Sequence, residues 1–408
     1  MSLFSRYLLA LLLATAAARA ETAPAPAKKK VAALIACWFP RSHPDVILAR
    51  LLKTDSLDGL GDPYRIALAA VYRDLPDSRD TTTNLAAQFG FKVAATPADA
   101  LTLDTGKLAV DGVVICTEWA DYPRSDTGQL QYPHKRLFEE TLRVFRDSGR
   151  ICPVFVDKHL ADTWAESKWI YDQAKALGVP LMAGSSVPGA WRRPAADVDP
   201  DKPLREIVGI SYHTLDCYGF HGLEMVQALA EKRKGGETGV KAVRCLVSNA
   251  VWEAAGTLYD TNLLQAALAR LERPIPTNKP LNELVKSPVL FHIEYADGLV
   301  VNLFTLNPVA QRWAAAWKYD DGESDSTLFW LQETGAFMHF AFLTRGVERL
   351  ILAGKAPWPV ERTLMTSGVL DAALISKREK GRRLETPYLT FSYDDYWTWE
   401  APPEPAGP

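Results

Sequence analysis

Ionisable side chains follow the apolar runs of the first half of the chain. Asp157, Lys158 and His159 close the run at 154–157, Glu118 follows 111–117, Arg73 and Asp74 follow 65–72, and Arg41, Ser42, His43 and Asp45 follow 31–36. If each run is a strand of a parallel sheet, these residues ring the crevice at the carboxyl ends of the strands, where open α/β sheets bind ligands. A lysine in a crowded cationic cleft has its pKa lowered toward neutrality and can give or take a proton. Lys158 is the candidate for that role. Together with His221, the residues His43, Asp45, Glu118 and His159 could offer imidazole and carboxylate ligands to a metal ion that assists hydrolysis or elimination. None has the compact spacing of an H-E-x-x-H helix, so no metal ligand is assigned.

The first turn bears on nucleotide binding. Glycines at a first strand-to-helix turn let the backbone approach a pyrophosphate that the helix N-terminus then holds. Here the turn reads Cys37, Trp38, Phe39, Pro40, Arg41, Ser42, His43, with no glycine. The expectation is weak or absent nicotinamide binding. A bound dinucleotide would have to use Arg41 in place of backbone donors, with Ser42 and His43 beside it, Asp74 at the ribose and Glu118 nearby.

The elements that must carry these residues alternate. Hydrophobic patterning predicts strands at 31–36, 65–72, 91–95, 111–117, 154–157 and 180–183, with helices at 44–52, 81–89, 97–101, 132–148 and 164–177 between them. Such alternation makes a parallel sheet covered on both faces, a Rossmann-like domain over 31–194. Past the Asp- and Pro-rich junction at 195–203 the texture changes. Strands are predicted at 205–212, 240–248, 289–295, 299–306 and 327–332, with a hairpin turn at 296–298 and helices at 221–234, 261–270, 337–353 and 360–377. This reads as an α+β domain over 195–395, a mixed or antiparallel sheet with helices on one face, followed by a Pro-rich tail at 396–408.

The motifs in this order resemble the Gfo/Idh/MocA oxidoreductase family. Residues 111–118, DGVVICTE, resemble its strand ending in Thr-Pro, with Glu118 in place of proline, and His134 resembles the His opening the next helix. Residues 154–161, VFVDKHLA, resemble its Glu-Lys-Pro-Leu-Ala motif and put Lys158 at the catalytic lysine. Residues 216–224, DCYGFHGLE, resemble its Asp-x-Gly-x-His-x-x-Asp, with Cys217 in the place of the acid. The resemblance implies a Rossmann domain joined to an open-faced sheet domain, NAD(P) as cofactor, and a carbohydrate or polyol substrate in the cleft between them. It also implies that His221 acts with Lys158, and that Asp157, His159, Tyr218 and Glu224 contact substrate. The glycine-free turn and the implied NAD(P) pull in opposite directions. A cofactor-free sugar-binding protein on the same two-domain shell is the alternative.

Composition narrows the rest. A chain of 408 residues with 48% hydrophobic and 23% charged residues is long enough for two globular domains. A net charge of -3 gives no basic footprint for nucleic acid. Arg6, the apolar run 7–13 and Ala18-Arg19-Ala20 read as a signal peptide over 1–20 cleaved near Ala20, followed by a flexible lead-in at 21–30. The run is too short for a stable membrane anchor, so an exported protein, periplasmic or secreted, is expected. The five cysteines form no C-x-x-C pair, which argues against a full disulfide framework, and Cys116 and Cys152, in apolar strand-like runs, read as buried thiols. A homo-oligomer through the second sheet is a further expectation.

Overall fold

The computed structural model describes residues 27–403 apart from 274, 277 and 334–336. The expected signal peptide and the last residues of the tail lie outside these described residues. Six strands form the first sheet: β1 (Lys29–Ile35), β2 (Ile66–Arg73), β3 (Lys92–Ala94), β4 (Gly112–Cys116), β5 (Val154–Asp157) and β6 (Leu181–Gly184). Their order is β3-β2-β1-β4-β5-β6 and every pair is parallel. The direction of winding therefore reverses between β1 and β4, which opens a crevice at their carboxyl ends. From Val31 onward β1 is apolar and buried on both faces, as is the whole of β4, as parallel strands under helices must be. The helices His43–Leu52, Pro97–Thr102 and Trp164–Leu177 start where Ser42, Thr96 and Thr163 accept backbone N–H bonds from Asp45, Asp99 and Glu166.

One cover comes from far along the chain. Helix Met338–Ala353 packs Phe340, Leu343, Val347, Leu350 and Ile351 against β1 and helix His43–Leu52. The parallel sheet is thus completed by a segment that follows the second sheet in sequence.

The second sheet is mixed. It comprises β7 (Trp191–Arg193), β8 (Leu204–Ser211), β9 (Val240–Val247), β10 (Val289–Tyr295), β11 (Val300–Thr305), β12 (Trp313–Tyr319), β13 (Ser324–Trp330) and β14 (Leu384–Glu385), in the order β14-β9-β10-β11-β8-β12-β13-β7. Only β8 and β11 run parallel. The sheet begins at β7, ahead of the junction expected at 195–203. Strand β12 was not expected because its sequence, WAAAWKY, is rich in alanine and lacks the β-branched residues that mark strands. Helices Cys217–Ala230 and Val360–Arg378 pack on one face of this sheet, and the smaller helix Thr261–Leu268 lies on the other. Val360–Arg378 also touches β6 and helix Trp164–Leu177 of the first domain, so it ties the two halves and fixes the width of the crevice.

Candidate active site

Lys158 follows β5 with φ 67, a left-handed conformation that a side chain with a Cβ adopts at a cost of about 1–3 kcal/mol. Its Nζ is buried at the domain interface, 2.6 Å from His221 Nε2, 2.8 Å from Cys217 Sγ and 2.5 Å from Glu118 Oε2. As an ammonium, Lys158 hydrogen-bonds to His221 and Cys217 and pairs by charge with Glu118. His221 presents Nε2 as acceptor, so Nδ1 carries the hydrogen and donates to Ser185 Oγ at 2.6 Å. The Cys217 thiol donates to Glu118 Oε1. Burial lowers the Lys158 pKa, with Cys217 acting against that shift. Burial, and then the Lys158 charge, hold His221 well below the usual imidazole range. The neutral ring is the form this environment favours for His221, and the same burial makes the Lys158 ammonium a readier proton donor than an exposed one. A cavity of about 140 Å³ opens above the cluster, walled by Trp119, Tyr218, Trp313 and Phe340.

Beside it, His43 Nδ1 lies 2.6 Å from Asp157 Oδ2 and His43 Nε2 lies 3.6 Å from Glu118 Oε2. Among the described residues these three form the one group with ligand atoms within 4.8 Å of one another. The imidazole spans the two carboxylates with opposite nitrogens, and the Lys158 ammonium already supplies a positive charge at Glu118. Of the other residues considered for a metal, His221 is taken up by Lys158 and Ser185, Asp45 accepts the N–H groups of Arg41 and Trp38 in the first turn, and His159 packs behind the site.

Several expected contacts lie elsewhere. His159 is fully buried behind the site, packed among Tyr132, His134 and Phe220, 3.8 Å from Asp216. It does not line the cavity. Lys158, in its left-handed backbone, turns into the cavity, and His159 packs away from it. Glu224 is buried and bonded to Thr366 Oγ1 and the Ser185 N–H, where it ties two helices to the turn after β6. Tyr218 does reach the cavity, stacked on Trp313 and edge-on to His221. His221 lies in the second turn of helix Cys217–Ala230, not at a helix start. The glycines flanking it serve packing: a Cβ at Gly222 would come 2.9 Å from Leu303 and one at Gly219 would touch Phe291. Cys217, which stood in the place of the motif's acid, and Trp313 complete the site with Ser185 and Trp119, which carried no local mark in the sequence.

The first turn is filled by the chain itself. Asp45 Oδ2 accepts the Arg41 N–H at 2.8 Å and Oδ1 accepts the Trp38 indole N–H at 3.0 Å. Ser42 Oγ accepts the N–H groups of Phe39 and Asp45, and the Asp80 carboxylate accepts that of Trp38 at 3.2 Å. Trp38 is fully buried and stacks on Phe91. At the end of β2, Asp74 accepts hydrogen bonds from Tyr72, Tyr122 and Arg136. Arg41 keeps an exposed side chain in a left-handed backbone, φ 68.

The overall shape matches solved dinucleotide enzymes. GenD2 from gentamicin A biosynthesis, solved in complex with NAD, is 17% identical over 88% of this chain and 96% of its own, with a TM-score of 0.57. Myo-inositol 2-dehydrogenase from Lactobacillus plantarum is 12% identical over 88% and 99%, TM-score 0.54. A myo-inositol dehydrogenase from Corynebacterium glutamicum is 13% identical over 88% and 98%, TM-score 0.53. The chain has the two-domain Gfo/Idh/MocA-type fold. No protein-family model and no curated protein sequence matches it. Within the Gfo/Idh/MocA-type fold the first turn and the end of β2 are the expected seats of pyrophosphate and ribose. In this chain the N–H donors of the first seat bond to Asp45, Ser42 and Asp80, and Asp74 has its own three donors. The residues present do not fit a dinucleotide in that seat.

Proposed function

We propose that this protein is an enzyme of oxidoreductase fold that moves a proton on a small carbohydrate or polyol in the interdomain cavity. The observation that carries the reading is the buried Lys158 Nζ, set in a left-handed backbone within hydrogen-bond reach of His221 and Glu118 and open to the cavity. The free amine of Lys158 takes a proton from a substrate hydroxyl, or from the carbon next to a carbonyl. Glu118 stabilises the ammonium that forms, and His221 accepts one of its hydrogens and fixes its direction. The rings of Trp119, Tyr218 and Trp313 offer apolar faces to a sugar, and the cavity is small beside the ~300–1,000 Å³ of pockets that enclose drug-sized ligands.

The sugar and polyol dehydrogenases that share the fold support the substrate class. The filled first turn argues against hydride transfer to a nicotinamide held in the usual seat. We also propose that the chain is exported by its N-terminal segment.

The test is to incubate the protein with a panel of aldoses, ketoses and polyols in deuterated water, without added nucleotide, and follow C–H exchange and product by NMR. Exchange that disappears in Lys158→Gln supports the reading. Turnover only with added NAD(P) would overturn it. Sugar binding without turnover would assign the shell to a binding protein.

A further inference from the structure

Cys217 is the one side chain of the Lys158 cluster that proton transfer leaves unused. Its Sγ is 2.8 Å from the Lys158 amine and donates to Glu118 Oε1. Both Cys217 and Lys158 line the cavity, so a small diffusible reagent reaches the sulfur and the nitrogen together. The other four cysteines are buried, and the thiols of Cys37, Cys116 and Cys245 donate to Asp77, Asp157 and the Leu246 carbonyl. Burial raises the Cys217 thiol and lowers the Lys158 ammonium, with the nearby charge of Lys158 drawing the thiol back down.

We propose that Cys217 and Lys158 form a reversible oxidative cross-link, a sulfur–nitrogen bond, with a peroxide as the oxidant. Glu118 Oε1, which already accepts the thiol hydrogen bond, takes the thiol proton. The thiolate attacks one peroxide oxygen; the O–O bond breaks and an S–O bond forms, giving Cys217 sulfenic acid. The departing hydroxide leaves as water with the proton from Glu118. The Lys158 amine then attacks that sulfur, the S–O bond breaks, and the oxygen leaves as a second water carrying one amine proton. Sulfur is oxidised by two electrons and the peroxide is reduced; thiol, amine and hydrogen peroxide become the S–N link and two waters. Condensation of a sulfenic acid with a nitrogen is established cysteine chemistry. A dithiol reverses the link by attacking the sulfur and freeing the amine. The consequence, a site switched off while its lysine is bonded, rests on the proposed role of Lys158; the bond itself does not.

The experiment treats the full chain with hydrogen peroxide, blocks remaining thiols, digests with trypsin and maps peptides by mass spectrometry. The expected product joins residues 151–168 to 206–232 with the Lys158–His159 bond uncleaved, lighter by two hydrogens than the separate peptides, and it is lost on treatment with dithiothreitol. The uncleaved bond separates this link from a Cys152 to Cys217 disulfide. Lys158→Arg keeps a cation beside Glu118 and should oxidise at Cys217 without forming the link. An unmodified Cys217, or Cys217 oxidised to sulfinic acid with Lys158 still cleavable in the unaltered chain, would overturn the proposal. A link that forms in a protein with no proton-transfer activity would leave the cross-link standing and remove the functional reading.

Discussion

The two ends of the crevice have been treated differently by this sequence. At the β1 end the turn is closed by its own carboxylates: Asp45 and Asp80 lie where a pyrophosphate would draw on the backbone, and Trp38 fills the space beneath. At the β5 end the cluster is built around a hole, with Lys158, His221 and Cys217 facing a cavity that Arg41 and His43 also line from the β1 side. A helix N-terminus favours an anion whether it comes from a ligand or from an aspartate. Once Asp45 supplies it, the fold is retained without the ligand that the seat would otherwise take. The lesson is that the shell of the fold is kept while the residues of its first turn no longer fit a dinucleotide.

Four perturbations test that contrast. The largest effect is expected at the open end, where Lys158→Gln keeps a donor for Glu118 but removes the titrating amine. Turnover should fall ~10²-fold or more while thermal unfolding changes little. Equal loss of both would make Lys158 a structural residue.

Acid should come next. Burial holds His134 and His339 neutral, both with pKa values lowered to about 3. Each is bonded as a neutral ring, His134 to Thr117 and the His159 carbonyl, His339 to the Leu331 carbonyl. Since the unfolded chain binds these protons near pH 6.5 and the folded chain does not, their contribution is intact above about 6.5 and is lost as pH falls toward about 3. Hydrogen exchange across this range should show the segments around His134 and His339 opening before the first turn. Opening in the reverse order would contradict the contrast.

At the closed end, Asp45→Ala leaves the buried Trp38 indole and the Arg41 amide without their acceptor. A loss of about 1–3 kcal/mol in urea unfolding is expected, with no effect on turnover beyond that of stability. The smallest change is Tyr122→Phe, which removes one of three donors to Asp74 and should cost about 1 kcal/mol. A marked gain in nucleotide affinity in this variant would show that the ribose seat was blocked by a single bond.

Much of this was legible in the chain. Uninterrupted aliphatic runs followed by polar residues marked the strand ends, which placed Lys158, Glu118 and His43 in one crevice. The Ser42-x-x-Asp45 spacing is a self-capping helix start, and read that way it would have announced the closed turn. Other features have no local trace. The contact of Cys217 with Lys158 spans 59 positions and joins the two domains. The helix that covers β1 comes from the far end of the sequence, and the alanines of β12 resemble no strand until their neighbours bury them.

The central claim is that the proton chemistry persists where the dinucleotide seat does not. Isothermal titration of the purified, nucleotide-free protein with NAD⁺, NADH and their 2′-phosphorylated forms tests it most directly. The account predicts no binding tighter than ~1 mM, about -4 kcal/mol. A dissociation constant of ~1 μM or below, about -8 kcal/mol or stronger, would contradict it.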